Sequence, residues 1–147
     1  MADSSTQTIQ IAAPAARVTE VICDFASYPG WVDAIKTVEV LSEYEDGYAH
    51  EVRFAVDAGM FADEYTLVYE YAADLSRIQW HLAAPSSVQK RQDGAYDIVG
   101  NADGTTDVTY TLSVDLAIPM LGMFKKKAER KILDTALREM KTRAEAR

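Results

Sequence analysis

The chain has 147 residues, 48% of them hydrophobic and 10% aromatic, which suits one domain with a substantial core and excludes a disordered polymer. Its formal charge of −8 is unevenly placed: residues 119–147 carry nine Lys/Arg against four Asp/Glu, a net +5, which leaves −13 on residues 1–118. An acidic body would repel phosphates, so nucleic acid is not expected as a partner. No apolar stretch approaches the roughly 18–20 residues of a membrane span. The polar start MADSSTQT lacks the basic and apolar regions of a secretory signal, and the lone Cys23 gives no disulfide framework. Together these lead to the expectation of a cytoplasmic protein.

Residues 6–12 alternate through Ile9 and Ile11 and read as a first strand. Ala13-Pro14 then opens a helix, since Pro loses nothing in a first turn, and Val18, Val21, Ile22 and Phe25 give it an apolar face. Tyr28-Pro29-Gly30-Trp31 reads as a turn, with a second short helix expected over Trp31–Ile35. Residues 36–44 alternate through Val38 and Val40, and Asp46-Gly47 signals a hairpin. Beyond it Tyr48, His50, Val52, Phe54 and Val56 share one face. After a loop at Ala58-Gly59-Met60, the strand carrying Phe61, Asp63, Tyr65, Leu67, Tyr69 and Tyr71 follows, and a turn at Asp74–Arg77 leads to Ile78, Trp80 and Leu82.

Residues 85–93 are polar and read as a turn. Tyr96 and Ile98 mark a sixth strand; Asn101–Gly104 turns into a seventh with Val108, Tyr110, Leu112 and Val114 on one face. The remaining residues, 119–147, form one long helix that starts at Pro119 and is roughly 40 Å long at 1.5 Å per residue. Leu121, Phe124, Ala128, Ile132, Ala136, Met140 and Ala144 recur along it at spacings of three and four, widened by Leu133, Leu137, Met120 and Met123.

The predicted order is β–α–α–β–β–β–β–β–β–α, in a single domain over residues 1–147. Clean alternation with short turns predicts an antiparallel sheet covered on one face. One helix cannot fill the concave side of a curled sheet evenly, so an internal cavity is expected between them.

The chain resembles the START-related (SRPBCC) superfamily, and within it the polyketide cyclase/dehydrase and lipid-transport-like branch. The resemblance rests on Ile11-Ala12-Ala13-Pro14, Val18…Val21-Ile22, Asp24…Tyr28-Pro29-Gly30-Trp31, Gly104-Thr105-Thr106-Asp107-Val108-Thr109-Tyr110 and the long closing helix. It implies an α+β helix-grip fold: a seven-stranded curved antiparallel sheet wrapped around the C-terminal helix, with two short helices after the first strand. It implies no particular ligand and no universal catalytic motif. Many relatives carry Trp after a Gly in the sixth strand, where Gly94-Ala95-Tyr96 supplies Tyr here.

Most aromatic side chains fall on the inferred concave face. A cavity lined by Val52, Phe54, Tyr65, Leu67, Tyr69, Trp80, Tyr96 and Tyr110 would grip a flat apolar ligand and orient its oxygens through phenols; alternatively, Tyr is simply common in strands. Met120, Met123 and Phe124 would form an adaptable gate or fill core gaps. His50 and Asp63 are the candidate acid–base pair, for an aldol-type cyclisation or a dehydration, with an ordinary hydrogen-bonded His and a turned-out Asp as the alternatives. Asp24 reads as a turn carboxylate, Cys23 as inert core and Trp31 as packing.

Two isolated His and one Cys form no metal-ligand set, and no phosphate loop or nucleophile elbow occurs, so no cofactor is expected. The sequence therefore points to a binding protein for a small hydrophobic or aromatic ligand (a lipid, isoprenoid or polyketide), as a monomer or homodimer. A cyclase or dehydratase acting on such a ligand is the enzymatic alternative. The basic helix touching a membrane or protein partner is the third reading, less favoured because its outer charge balances an acidic body.

Overall fold

The computed structural model describes residues 4–57, 62–117 and 122–146, with the side chains of 122–125 excepted. The elements are β1 (Ser5–Ile11), α1 (Ala15–Cys23), a 3-10 turn (Phe25–Ser27), α2 (Tyr28–Trp31), β2 (Ile35–Glu43), β3 (Ala49–Asp57), β4 (Ala62–Tyr71), β5 (Arg77–Leu82), β6 (Gln89–Gly100), β7 (Thr106–Leu116) and α3 (Gly122–Glu145). The expectations placed on Met60, Phe61, Pro119, Met120 and Leu121, and on the side chains of Met123 and Phe124, lie outside the described residues.

All seven strands form one antiparallel sheet in the order β1-β7-β6-β5-β4-β3-β2. The chain starts on one edge, crosses to the other through α1 and α2, and meanders back until β7 lies beside β1. The crossing places both short helices over one end of the concave face, where Phe25 packs its ring on Phe54 and Tyr69 at 6.4 and 4.8 Å. The second helix sits earlier than the sequence indicated. Pro29 falls in its first turn, where a missing N–H costs nothing, and Val32 N–H closes it on the Tyr28 carbonyl at 2.7 Å.

Register shifts between β2 and β3 and in β6 break the alternation that the sequence reading assumed. Between β2 and β3 the register runs Val40 against Val52, Ser42 against Glu51, then Glu43 against Ala49. Leu41 and His50 are the extra residues. The inward face therefore passes from Val52 to Ala49, which is buried, and His50 leaves it. In β6 the register shifts between Gln89 and Arg91. That bulge lets both Gln89 and Gln92 turn inward from a stretch that reads as a turn.

The long helix lies across β1 and β7 and meets α1 near its C-terminus. Leu133, Leu137, Met140 and Ala144 are its buried side chains, with Glu129 on the same line, while Ile132 is 42% exposed. The inward stripe is thus rotated by about one residue from the 128–132–136 line drawn from the sequence. Polar anchors set this rotation. Glu129 accepts the Ser5 hydroxyl at 3.0 Å and the Val114 N–H, which lies beyond the end of β1, at 3.1 Å. At the far end Arg17 donates to the carbonyls of Arg143, Ala144 and Ala146, satisfying acceptors that a helix C-terminus leaves open and opposing its dipole. Among the described residues no helix is long and apolar enough to cross a membrane.

Candidate ligand-binding site

The concave face is built by residues of one parity on neighbouring strands. Val52 and Phe54 on β3, Leu67 and Tyr69 on β4, Trp80 on β5 and Tyr110 on β7 are buried; Tyr65 and Tyr96 are half-buried. Register places them edge to edge: Phe54 faces Tyr65, Tyr69 faces Trp80, and Tyr96 faces Tyr110. Their rings form a continuous layer, with centroids 5.8 Å apart for Phe54–Tyr65, 5.6 Å for Tyr69–Trp80, 5.1 Å for Trp80–Tyr96 and 4.7 Å for Tyr96–Tyr110. Such spacings suit offset and edge contacts between aromatic quadrupoles.

The partner of Trp80 on β6 is Gly94, and here a glycine is required. A Cβ at Gly94 would stand 2.3 Å from the indole ring, so the absent side chain is what lets Trp80 lie flat against the sheet.

Four phenol groups converge in this layer. Burial raises the hydroxyl pKa of Tyr65, Tyr69, Tyr96 and Tyr110; nearby phenols add to this at Tyr69, Tyr96 and Tyr110, and Asp63 adds to it at Tyr65. All four stay neutral donors at any physiological pH. Tyr69, Tyr96 and Tyr110 show no hydrogen bond to a described residue, yet no sealed side-chain oxygen or nitrogen among the described residues lacks a partner. The three hydroxyl oxygens are therefore not fully sealed. Two surface depressions of about 390 and 480 Å³, on the outer face over Gly94 and Ala95 and beside α1, include none of the four phenols.

Beside the phenols runs a chain of buried polar side chains that the sequence reading did not find. Trp80 Nε1–H donates to Gln92 Oε1 at 2.9 Å, Gln92 Nε2 to Gln89 Oε1 at 2.6 Å, and Gln89 Nε2 to Asp63 Oδ2 at 3.1 Å. Asp63 also accepts the Ser86 hydroxyl at 2.6 Å and the Glu64 N–H at 2.9 Å. An indole can only donate and a carboxylate only accept, so the orientation of both amides between them is fixed. The signal in the sequence was weak: two glutamines three apart in a polar run, made inward-facing by a bulge that alternation does not announce.

The other predicted positions separate. Asp63 is buried on β4 opposite Val56, whereas His50 lies six residues along β3 from Val56, roughly 20 Å away at about 3.3 Å per residue. His50 packs on the Tyr44 ring at 4.5 Å and meets the Ser42 hydroxyl at 3.4 Å. The two do not form a pair, because the bulge at His50 carries it away from the concave face. Asp24 accepts the Ser27 hydroxyl within its turn at 2.7 Å, and Trp31 packs on Tyr28 at 5.2 Å. Burial pushes the Cys23 thiol up to about 11. Among the described residues no three metal-ligating side chains converge.

A curved seven-stranded sheet gripping a long C-terminal helix, with two short helices after the first strand, is the START or helix-grip fold. The chain belongs to the polyketide cyclase/dehydrase and lipid transport family, whose model matches residues 2–145. A START superfamily protein from Mycobacterium smegmatis superimposes with a TM-score of 0.90 at 25% identity, over 97% of each chain. The ZhuI aromatase/cyclase from Streptomyces sp. R1128 does so at 0.79 and 19%, over 99% of this chain and 94% of its own. A protein from Thermus thermophilus gives 0.79 and 18%, over 97% of each chain. No curated protein sequence matches significantly.

Proposed function

We propose that this protein binds a small hydrophobic, ring-bearing molecule (a lipid, isoprenoid or polyketide) between the concave sheet and α3, as a monomer or homodimer in the cytoplasm. Val52, Phe54, Leu67 and Trp80 supply the apolar wall, and the four phenols orient the ligand's polar atoms. Met120, Met123 and Phe124 remain the proposed gate. The observation that carries this reading is the convergence of four neutral hydroxyls, three without a described partner, inside an aromatic layer. Unsealed neutral hydroxyls set in an apolar layer keep donors and acceptors available to an occupant's polar atoms.

Native mass spectrometry of the protein as purified tests it. The expected result is a bound species lost on organic extraction and regained when the extract is returned. The reading fails if no bound mass is found and a hydrophobic fluorophore does not bind saturably. Cyclase or dehydratase chemistry has less support: His50 and Asp63 stand apart, and Asp63 already accepts from Ser86, Gln89 and the Glu64 backbone.

A further inference from the structure

The polar chain beside the aromatic layer has a direction, and it ends on a negative charge. Trp80 can only donate, so Gln92 turns its oxygen to the indole and its amino group to Gln89, and Gln89 presents its own amino group to Asp63. Ser86 is fixed from the other side: its hydroxyl oxygen accepts the Gln89 backbone N–H at 3.0 Å, and its proton goes to Asp63. With the Glu64 N–H included, every hydrogen bond that Asp63 makes to a described residue is one it accepts. Such a setting suits an ionised carboxylate, which has about four acceptor positions. Two of these bonds end on Oδ2 and one on Oδ1, so Oδ1 keeps a position open.

No cation answers this charge among the described residues. Asp63 is buried, and the buried set contains no Lys or Arg. Arg53 on β3 pairs with Glu64, and Arg91 on β6 pairs with Asp93 and Asp115. The carboxylate is desolvated on folding and held by its three donors, so an arriving cation would shed only its own hydration.

The aromatic layer favours the same sign of charge. Tyr65 follows Asp63 by two residues on the same face of β4 and stacks on Phe54, while Trp80 stands at the other end of the polar chain. Ring faces carry the negative part of the aromatic quadrupole and attract ammonium groups, Trp and Tyr most strongly. An anion would meet the opposite: a buried negative charge and no cation to offset its lost hydration.

We propose that Asp63 anchors a protonated amine, so that among ring-bearing molecules the pocket prefers those carrying an ammonium group on a short arm. The ammonium donates to Asp63 Oδ1, and the rings lie against the aromatic layer. This inference rests on the ligand-binding reading above and narrows its ligand class.

Three probes of matched size test it, each displacing a neutral hydrophobic fluorophore from the full chain at about pH 7: 2-(2-naphthyl)ethylamine, 2-propylnaphthalene and 2-naphthylacetate. The titrations run in about 1 M salt, where a Debye length of about 3 Å screens the general attraction of the acidic body for cations. The wild type is expected to bind the amine at least about tenfold more tightly than the hydrocarbon, the ratio of one charge-assisted hydrogen bond, and the carboxylate most weakly. In Asp63→Asn, which removes the charge and keeps the shape, the amine-to-hydrocarbon ratio falls to within about twofold.

If the amine displaces the fluorophore no better than the hydrocarbon does, or if folded Asp63→Asn keeps the full amine preference, the inference is overturned while ligand binding stands. Where that variant does not fold, the wild-type ratio decides alone. If the fluorophore does not bind and no bound mass is found, the ligand-binding reading itself falls, and the inference with it.

Discussion

The concave face has two sides, each with a buried carboxylate and no described ion-pair partner, and they use it differently. On the β1–β7 side Glu129 is 2% exposed and ties α3 to the Ser5 hydroxyl and the Val114 backbone. Its bonds end on the scaffold, and the leucines beside it seal the seam. On the β4–β6 side Asp63 is 8% exposed and its bonds continue through two glutamines to Trp80, beside hydroxyls that show no hydrogen bond to a described residue. A buried acid therefore does not mark a site by itself. What its donors are connected to decides whether it fixes a helix or orders side chains of the aromatic layer.

This contrast can be broken at several points. The largest expected effect is on the helix side: Leu137→Ala removes a fully buried side chain and should cost about 2–5 kcal/mol, read as a lower denaturation midpoint. Gly94→Ala follows, because its Cβ would occupy the indole position. A cost of about 1–3 kcal/mol is expected from overpacking, together with altered Trp fluorescence as the Trp80–Gln92 bond is lost. An unchanged emission spectrum would show that the indole accommodates the methyl without moving.

Glu129→Leu, which orphans the Val114 N–H, should cost about 1–3 kcal/mol and leave the binding of a hydrophobic fluorophore as it was. Asp63→Asn should change that binding more than stability. If the two variants exchange these phenotypes, the division between scaffold and site is wrong.

A pH titration sharpens the same picture. The hydroxyls of Tyr28, Tyr65, Tyr69, Tyr96 and Tyr110 are raised by burial, so the unfolded chain releases its phenol protons first, from about pH 10. Stability is fully present below that pH and falls as pH rises above it. Absorbance titration should show these tyrosines ionising only as the fold is lost. The smallest effect concerns Cys23, whose thiol is raised to about 11: alkylation at about pH 8 should be slow in the native state and fast in denaturant.

Much of the fold could be read from the chain because alternation and turn chemistry act locally. The strand from Thr106 to Leu116 is an unbroken run of inward apolar and outward polar residues, and its assignment followed from period alone. The inward set of Val52, Phe54, Leu67, Tyr69, Trp80 and Tyr110 follows in the same way, since parity within a strand predicts a shared face. Alternation failed where a bulge changes parity. His50 looked inward and is not, and Gln89 and Gln92 looked like turn residues and are buried in β6. In the long helix Leu133, Leu137, Met140 and Ala144 face inward as read, but Ile132 does not and Glu129 does, because Glu129 has the partners.

The sequence by itself thus determined the order and type of the elements, the antiparallel sheet with one covered face, and the family resemblance, all consequences of periodicity and of residues close in the chain. Only the tertiary structure decided which polar groups are buried together. Asp63, Gln89, Gln92 and Trp80 come from three strands and meet through register and a bulge. Whether a carboxylate anchors the helix or orders the aromatic layer depends on partners that are distant in sequence and adjacent only once the sheet has closed around its helix.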